Sequence, residues 1–261
     1  MRSALATALV AAVAAVAAAG LSARSHDATA QPADLDSVPL PIAPAFTPGT
    51  PRPLRFTRGL AYWAPVRQAT IARAAPHAAA AAVSSLSKAT PEGTRNVVAV
   101  LGRRQDAAGR TWVHVRLPVL PNGTTGWVRR RALGGYVTVH TRLDVDLRRL
   151  RATLYRDGRP ILRAPVGVGR ERSPTPRGKF YVRNKLTRYD SATYGPVAFG
   201  TSARSPTATD WPAGGFIGIH GTDRPELVPG RVSHGCIRLR NADVLELAKH
   251  LSIGTPLTIH R

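Results

Sequence analysis

Two runs typical of β-strands, residues 150–155 and 161–168, flank the dipeptide Asp157-Gly158. An Asp-Gly pair between such runs is the strongest short-range signal of a β-hairpin, because both residues accept the positive φ angles of a tight turn. Just upstream, residues 143–147 alternate leucine or valine with aspartate, which is the period of a half-buried strand. The second half of the chain is therefore predicted to be mainly β.

One short helix is predicted near the end of the chain. Asn241 is a suitable N-cap, and Gly254 is expected to stop the helix. The apolar residues between them form the expected buried stripe: Val244, Leu245, Ala248 and Leu251. Three further strands are predicted at residues 179–182, 216–220 and 257–259.

Residues 54–135 are predicted to form a small barrel of their own. Three strand-like pieces alternate with turn signals at 106–109 and 121–123: residues 97–101, 111–117 and 126–128. The stretch TWVHVRLP...NGTTGWVRRRAL resembles the bacterial SH3-like barrel, a module frequent in wall-associated enzymes. The resemblance leaves two interpretations open, a binding module and a spacer without a ligand, because a fold does not fix a function.

The first 30 residues are interpreted as an export signal. Arg2 precedes an apolar run at residues 4–19 that is short and rich in alanine for a spanning helix, and Ala28-Thr29-Ala30 has the pattern of a cleavage site. Residues 31–53 are rich in proline and alanine and are interpreted as a linker. We therefore expect an exported protein of the cell wall or periplasmic space, tethered to the membrane if the signal is not cleaved.

The formal net charge is +22 and comes overwhelmingly from arginine. Coding bias in a GC-rich genome explains this composition, and attraction to a polyanion explains it equally well. The arginines are scattered, without a basic run interleaved with aromatic residues, so nucleic acid is not an expected partner. Outside the membrane the candidate polyanions are anionic wall polymers or a lipid surface, and no obligate protein partner is evident.

Cys236 is the single cysteine, so an internal disulfide is impossible. An inert buried thiol, an intermolecular bridge, a metal ligand and a nucleophile remain as roles. A thiol becomes a good nucleophile when a base or a positive charge lowers its pKa. His220, His234 and Arg238 are candidates for this, and in an extended segment His234 and Arg238 would project to the same side as Cys236.

Four motifs together resemble the catalytic domain of the YkuD-type L,D-transpeptidases: PVGVG, TPRGKFYV, GFIGIHGT and SHGCIRL. The resemblance runs from about residue 139 to residue 259. It implies a YkuD-type β-sandwich domain with a short C-terminal helix at residues 136–261, following the SH3-like barrel at 54–135.

The resemblance assigns roles to the residues around the thiol. Cys236 would be the nucleophile, and His220 the general base that takes its proton. Gly221 follows His220 where some relatives carry serine, and its backbone carbonyl remains available to orient the imidazole ring. Ser233 and His234 match the motif and would support the pocket.

Three further residues receive roles by the same resemblance. The N–H groups of Gly235 and Cys236 would stabilise the oxyanion of an acyl-transfer intermediate. Arg238 would bind a substrate carboxylate or favour the thiolate. Tyr194 would line the pocket and help hold the oxyanion, or would serve ordinary packing.

The implied reaction uses peptidoglycan stem peptides. Cys236 would attack the bond between the L-centre of a diamino acid and the terminal D-alanine of a tetrapeptide stem, and an amine would then resolve the thioester. Water as acceptor would make the same site an L,D-carboxypeptidase, and a wall-binding protein with an inactive site is the non-enzymatic alternative. No cofactor and no metal are expected, because the spacing of one cysteine and two histidines does not fit a structural zinc site.

Overall fold

The computed structural model describes residues 60–189, 191–207 and 214–261. The predicted export signal, the predicted linker and residues 54–59 lie outside these ranges. Residues 60–139, here called the first module, contain a seven-stranded sheet within the described part of the chain. Its strands are β1 (Ala61–Pro65), β2 (Thr70–Arg73), β3 (Ala82–Leu86), β4 (Val97–Gln105), β5 (Thr111–Arg116), β6 (Thr125–Arg129) and β7 (Val137–Val139), in the spatial order β3-β2-β6-β5-β4-β1-β7.

The three strands predicted in this region are confirmed as β4, β5 and β6, which are consecutive antiparallel neighbours. The alternation of β5 explains its placement, because Val113 and Val115 are buried in the core of the module while His114 is partly exposed. Asp106 closes the β4–β5 turn, accepting hydrogen bonds from the N–H groups of Ala108 and Arg110. Strands β1 to β3 had no clear signal in the sequence, and the likeness to an SH3 barrel stays a prediction.

Residues 140–261, here called the second module, contain a ten-stranded sheet and a helix in the ranges that the structure describes. The strands are β8 (Thr141–Asp146), β9 (Arg151–Arg156), β10 (Arg159–Pro165), β11 (Gly167–Gly169), β12 (Gly178–Leu186), β13 (Ala198–Arg204), β14 (Phe216–His220), β15 (Gly230–Ser233), β16 (Ile237–Arg238) and β17 (Pro256–His260). The spatial order is β10-β9-β8-β17-β12-β13-β14-β16-β11-β15. The described residues are therefore mainly β with one short α-helix, as predicted.

The predicted hairpin is confirmed as β9 and β10. Asp157 and Gly158 adopt φ angles of 49° and 79°, the left-handed pair that a two-residue turn of this kind requires. Strand β8 pairs with β9 on one side and runs parallel to β17 on the other. The predicted strand at residues 216–220 is observed with those bounds as β14.

The helix α1 spans Asn241–His250, and it corrects three details of the prediction. Its N-cap is Arg240, because the Asn241 side chain reaches outside the helix. Leu245 is 48% exposed and Leu247 is buried in its place, since residues 244, 247 and 251 share one face of a helix. Gly254 lies beyond the helix end, with a φ of 83° and the Trp63 ring against its Cα.

The two modules share a buried contact. Val97 and Ala99 of β4 form a small apolar cluster with Tyr181 of β12, and Trp63 packs against it. The hydroxyl of Tyr181, which is fully buried, donates to the carbonyl oxygen of Val97 at 3.0 Å. All described residues fall in one compact unit. None of their helices is long and apolar enough to cross a membrane.

Candidate active site

The thiol and the imidazole are carried by two neighbouring strands in the middle of the ten-stranded sheet. Strands β14 and β16 are parallel, with Ile219 opposite Ile237 and His220 opposite Arg238. Ile219 and Ile237 are buried in the main core of the second module. Because side chains alternate along a strand, Cys236 and His220 lie on the face opposite that core.

Cys236 lies just before β16 and is only 6% exposed. The N–H of Gly218 in β14 donates to its Sγ at 3.3 Å. A hydrogen bond to sulfur stabilises the thiolate more than the thiol and so favours ionisation. Ala198 and Phe216 pack with Cys236 in a small cluster that is separate from the main core.

His220 is 2% exposed, and its ring orientation is fixed on two sides. Its Nδ1 lies 2.6 Å from the carbonyl oxygen of Gly221. A carbonyl oxygen can only accept, so Nδ1 is the donor and Nε2 is the nitrogen that can take up a proton. The Tyr194 ring meets the imidazole edge to face, with centroids 4.7 Å apart. The carbonyl oxygen of Gly221 thus holds Nδ1 of the ring in place.

Gly221 has no room for a side chain. A Cβ at this position would lie 2.3 Å from Oδ1 of Asn241 and 3.1 Å from Cα of Gly195. That amide oxygen accepts from the N–H of Thr222 at 2.9 Å. The side chain of Asn241 therefore braces the loop that orients His220, a role that sequence reasoning missed when it assigned this residue to a helix cap.

A hydrogen-bonded turn places Cys236. Ser233 donates through its Oγ to the carbonyl oxygen of Cys236 at 2.6 Å and accepts from the N–H of Gly235 at 3.1 Å. Thr175 donates to the carbonyl oxygen of Gly235 at 2.8 Å and accepts from the N–H of Gly169 at 2.9 Å. Ser233 and Thr175 therefore both brace the backbone of the turn, and the sequence did not indicate Thr175.

Gly235 is required by the backbone of this turn. Its φ is 121°, and a Cβ would lie 2.9 Å from Cδ1 of Ile217. Its N–H is already used by Ser233. Of the two predicted oxyanion donors, the N–H of Gly235 is therefore engaged within the turn.

The predicted extended segment around Cys236 is wrong. Strand β15 ends at Ser233. The turn at Gly235, whose φ is positive, interrupts the extended backbone before Cys236. His234 is exposed while Cys236 is buried, so the two side chains do not share a face. Arg238 is partly exposed, and its Nε is buried without a hydrogen-bond partner among the described residues.

A loop after β12 covers the thiol. Tyr189 and Tyr194 pack against the cluster that contains Cys236. The hydroxyl of Tyr189 donates to the carbonyl oxygen of Gly195 at 2.8 Å, and burial raises its pKa to about 12. Tyr189 is thus a neutral donor that fastens the loop beside His220. No group of three potential metal ligands occurs in the part of the chain that the structure describes.

Comparison with known proteins assigns the second module to a family. The model of the family described as L,D-transpeptidase catalytic domain matches residues 140–259. The protein YkuD of Bacillus subtilis, whose name assigns it to the L,D-transpeptidases, is 32% identical over 124 residues, which cover 48% of this chain and 68% of that protein. The protein of the same name in Bacillus licheniformis is 35% identical over 122 residues, covering 47% and 67%. The chain belongs to the L,D-transpeptidase family.

Residues 140–259 are therefore an L,D-transpeptidase catalytic domain, and the protein is an enzyme of this class rather than a wall-binding protein without activity. Among solved structures, a cysteine-to-serine mutant of the Enterococcus faecium L,D-transpeptidase is 27% identical with a TM-score of 0.37. That alignment covers 46% of this chain and 49% of the other, so the chain spans about half the length of that structure.

Proposed function

We propose that this L,D-transpeptidase uses Cys236 to form a thioester with a tetrapeptide stem of peptidoglycan and passes the acyl group to an amine in cell-wall cross-linking. The observation that carries the proposal is a pair of hydrogen bonds, one to the sulfur of Cys236 and one from the ring of His220. A backbone N–H donates to the sulfur, and the histidine on the next strand keeps Nε2 free of a proton by donating through Nδ1. Together these favour removal of the thiol proton by His220.

In the first half-reaction His220 takes the thiol proton and Sγ attacks the carbonyl carbon at the L-centre of the diamino acid. The C–S bond forms, and the negative charge on the carbonyl oxygen is stabilised by the N–H of Cys236. When the intermediate collapses, the C–N bond to D-alanine breaks and the imidazolium returns its proton to the leaving amine. The product is a thioester on Cys236 and free D-alanine.

In the second half-reaction an acceptor amine attacks the thioester carbon. His220 removes a proton from this amine, the C–S bond breaks, and the thiolate leaves. A new amide joins the two stems, and protons and charge return to the starting state. The imidazole serves in both halves because its Nδ1 remains bonded to Gly221 throughout.

Arg238 is proposed to bind the substrate. Its backbone lies opposite His220 on the neighbouring strand, and a donor of its guanidinium is buried without a partner among the described residues. A guanidinium with an open donor binds a carboxylate strongly, and a stem peptide carries carboxylates close to the scissile bond. We further propose that the enzyme acts outside the cytoplasmic membrane, where its substrate is found, and that its net positive charge favours anionic wall polymers.

Intact-mass measurement of acyl-enzyme formation tests the proposal. The wild type is incubated with a tetrapeptide stem or with a carbapenem, and the mass increase is followed with time. We expect an adduct on the wild type, loss of the adduct in Cys236→Ala, and strong slowing in His220→Ala. His77→Ala is the control, because this exposed histidine of the first module lies outside the residues around the thiol and is expected to leave the rate unchanged. A wild type without an adduct, or an adduct that persists in Cys236→Ala, would refute the assignment.

A further inference from the structure

Two loops of the first module reach the sheet face on which Cys236 lies. Glu92, between β3 and β4, contacts residues of β12. Asn122, in the turn between β5 and β6, contacts the end of β13. Strand β13 lies directly beside β14, whose Gly218 donates to the catalytic sulfur, and β12 lies on the other side of β13.

The first contact is a buried ion pair. Nη2 of Arg183 donates to Oε1 of Glu92 at 2.5 Å, and their side chains are only 2% and 3% exposed. Asn184 donates to the other carboxylate oxygen at 3.2 Å, and its own amide oxygen accepts from the N–H of Gly200 in β13. A buried arginine is stable only when its charge is paired, so Glu92 determines where this guanidinium lies.

The second contact fixes another arginine through its backbone. Asn122 donates to the carbonyl oxygen of Arg204 at 2.7 Å and accepts from its N–H at 2.9 Å. This pair of hydrogen bonds reproduces a rung of a β-ladder between the turn and the end of β13. The turn therefore sets the position of Arg204 without any charge of its own.

Both arginines meet on one ring. The guanidinium carbon of Arg183 lies 3.8 Å from the centre of the Phe216 ring, and that of Arg204 lies 4.4 Å away. Phe216 is 5% exposed and packs with Cys236 in the same small cluster. It also begins β14, two residues before the N–H that donates to the sulfur. The Phe216 ring is thus the link between the first module and the thiol.

We propose that the first module is a working part of the transpeptidase site, in which Glu92 and Asn122 act as positioning residues for Cys236 through Arg183, Arg204 and Phe216. The proposal rests on the assignment of Cys236 as nucleophile. The first module would then help to position the nucleophile, in addition to any role as a binding module or a spacer. When Glu92 no longer holds Arg183, the ring and the start of β14 shift, and the Gly218 N–H no longer meets the sulfur.

The test measures acylation by a tetrapeptide stem in the full chain carrying Glu92→Gln. A displacement of about 1 Å in a reacting group can cost up to about 100-fold in rate, so we expect the maximal acylation rate to fall by about 10- to 100-fold. The stem concentration at half-maximal rate is expected to stay within about twofold, because no residue that touches substrate has changed. Wild type and Cys236→Ala are measured in parallel, so that failure of the nucleophile assignment is detected separately.

Two further variants separate positioning from loss of stability. Asp106→Asn removes a carboxylate of the first module that accepts from Trp112 and Arg110 in the turn between β4 and β5, which belong to a different sheet from Phe216. It is expected to lower stability and to leave the acylation rate of the folded protein unchanged. The double variant Glu92→Gln with Arg183→Leu carries no unpaired buried charge at this contact but removes the guanidinium of Arg183 from the Phe216 ring. We expect its melting temperature to recover and its acylation rate to stay low.

The acylation rates of these variants decide between positioning and a loss of stability. Slow acylation in both Glu92→Gln and the stable double variant, with a normal rate in Asp106→Asn, supports the proposal. A wild-type rate in Glu92→Gln overturns it, and so does a double variant that recovers rate together with stability. Equal slowing in Asp106→Asn also overturns it, because the effect would then follow stability alone.

Discussion

Replacing Ser233 by alanine tests the turn that presents the thiol. The hydroxyl is 1% exposed, donates to the Cys236 carbonyl and accepts from the Gly235 N–H, so alanine leaves two buried backbone groups without a partner. Each such bond contributes about 1 kcal/mol, which predicts a loss of about 2 kcal/mol in the free energy of unfolding. For a chain of this size the melting temperature should fall by about 4 to 8 °C.

The turn also sets the direction of the sulfur, so acylation should slow more than stability alone explains. We expect a decrease of about tenfold or more at temperatures where the variant is fully folded. Urea unfolding measures the first effect, and the rate of mass increase with a tetrapeptide stem measures the second. Ser87→Ala is the control, because this exposed serine makes a single local hydrogen bond and should change stability by less than about 0.5 kcal/mol. A Ser233→Ala protein as stable and as fast as wild type would refute the role of the turn.

Two other predictions concern the loop beside His220 and the acid stability of the first module. Gly221→Ala places a Cβ 2.3 Å from Oδ1 of Asn241 and should slow acylation at least about tenfold, because the carbonyl that orients the ring moves. Adding Asn241→Ala removes the clash and should partly restore the rate. No recovery in this double variant would argue against the clash. Hydrogen bonds, first from Trp112, hold the pKa of Asp106 far below its ordinary value. Its stabilising contribution is therefore present above the unfolded-state pKa of about 4 and is lost as pH falls below it. Urea titrations between pH 2 and 7 should show a weaker acid dependence in Asp106→Asn than in wild type, and equal curves would contradict the shift.

Local signals in the sequence predicted several strands, including β14, which carries His220. The Asp157-Gly158 turn and the run at residues 216–220 specify their structure through backbone geometry and alternation over a few residues. The assignment of Cys236 and His220 came from two motifs that are separated in the sequence. In the fold, His220 ends β14 and Cys236 lies just before the neighbouring strand β16.

Contacts between distant segments could not be predicted in this way. Asn241 fits a helix cap by residue type, yet it reaches Thr222, and only the assembled fold brings the two together. The positive φ of Gly235 forms a turn that directs His234 toward solvent, whereas the sequence predicted an extended segment here. Arg183 and Asn184 directly follow the apolar residues 180–182 of β12, and nothing near them in the sequence indicated their partner in the first module.

The Tyr181 hydroxyl and the carbonyl of Val97 form a buried hydrogen bond in the seam between the two modules. Modules joined through such a seam unfold together, so calorimetry should record a single transition. Two modules that unfold independently would give two transitions. If the first module binds the wall, mechanical tension on the bound module is transmitted to the strands beside the thiol. A flexible linker between the modules would absorb that tension.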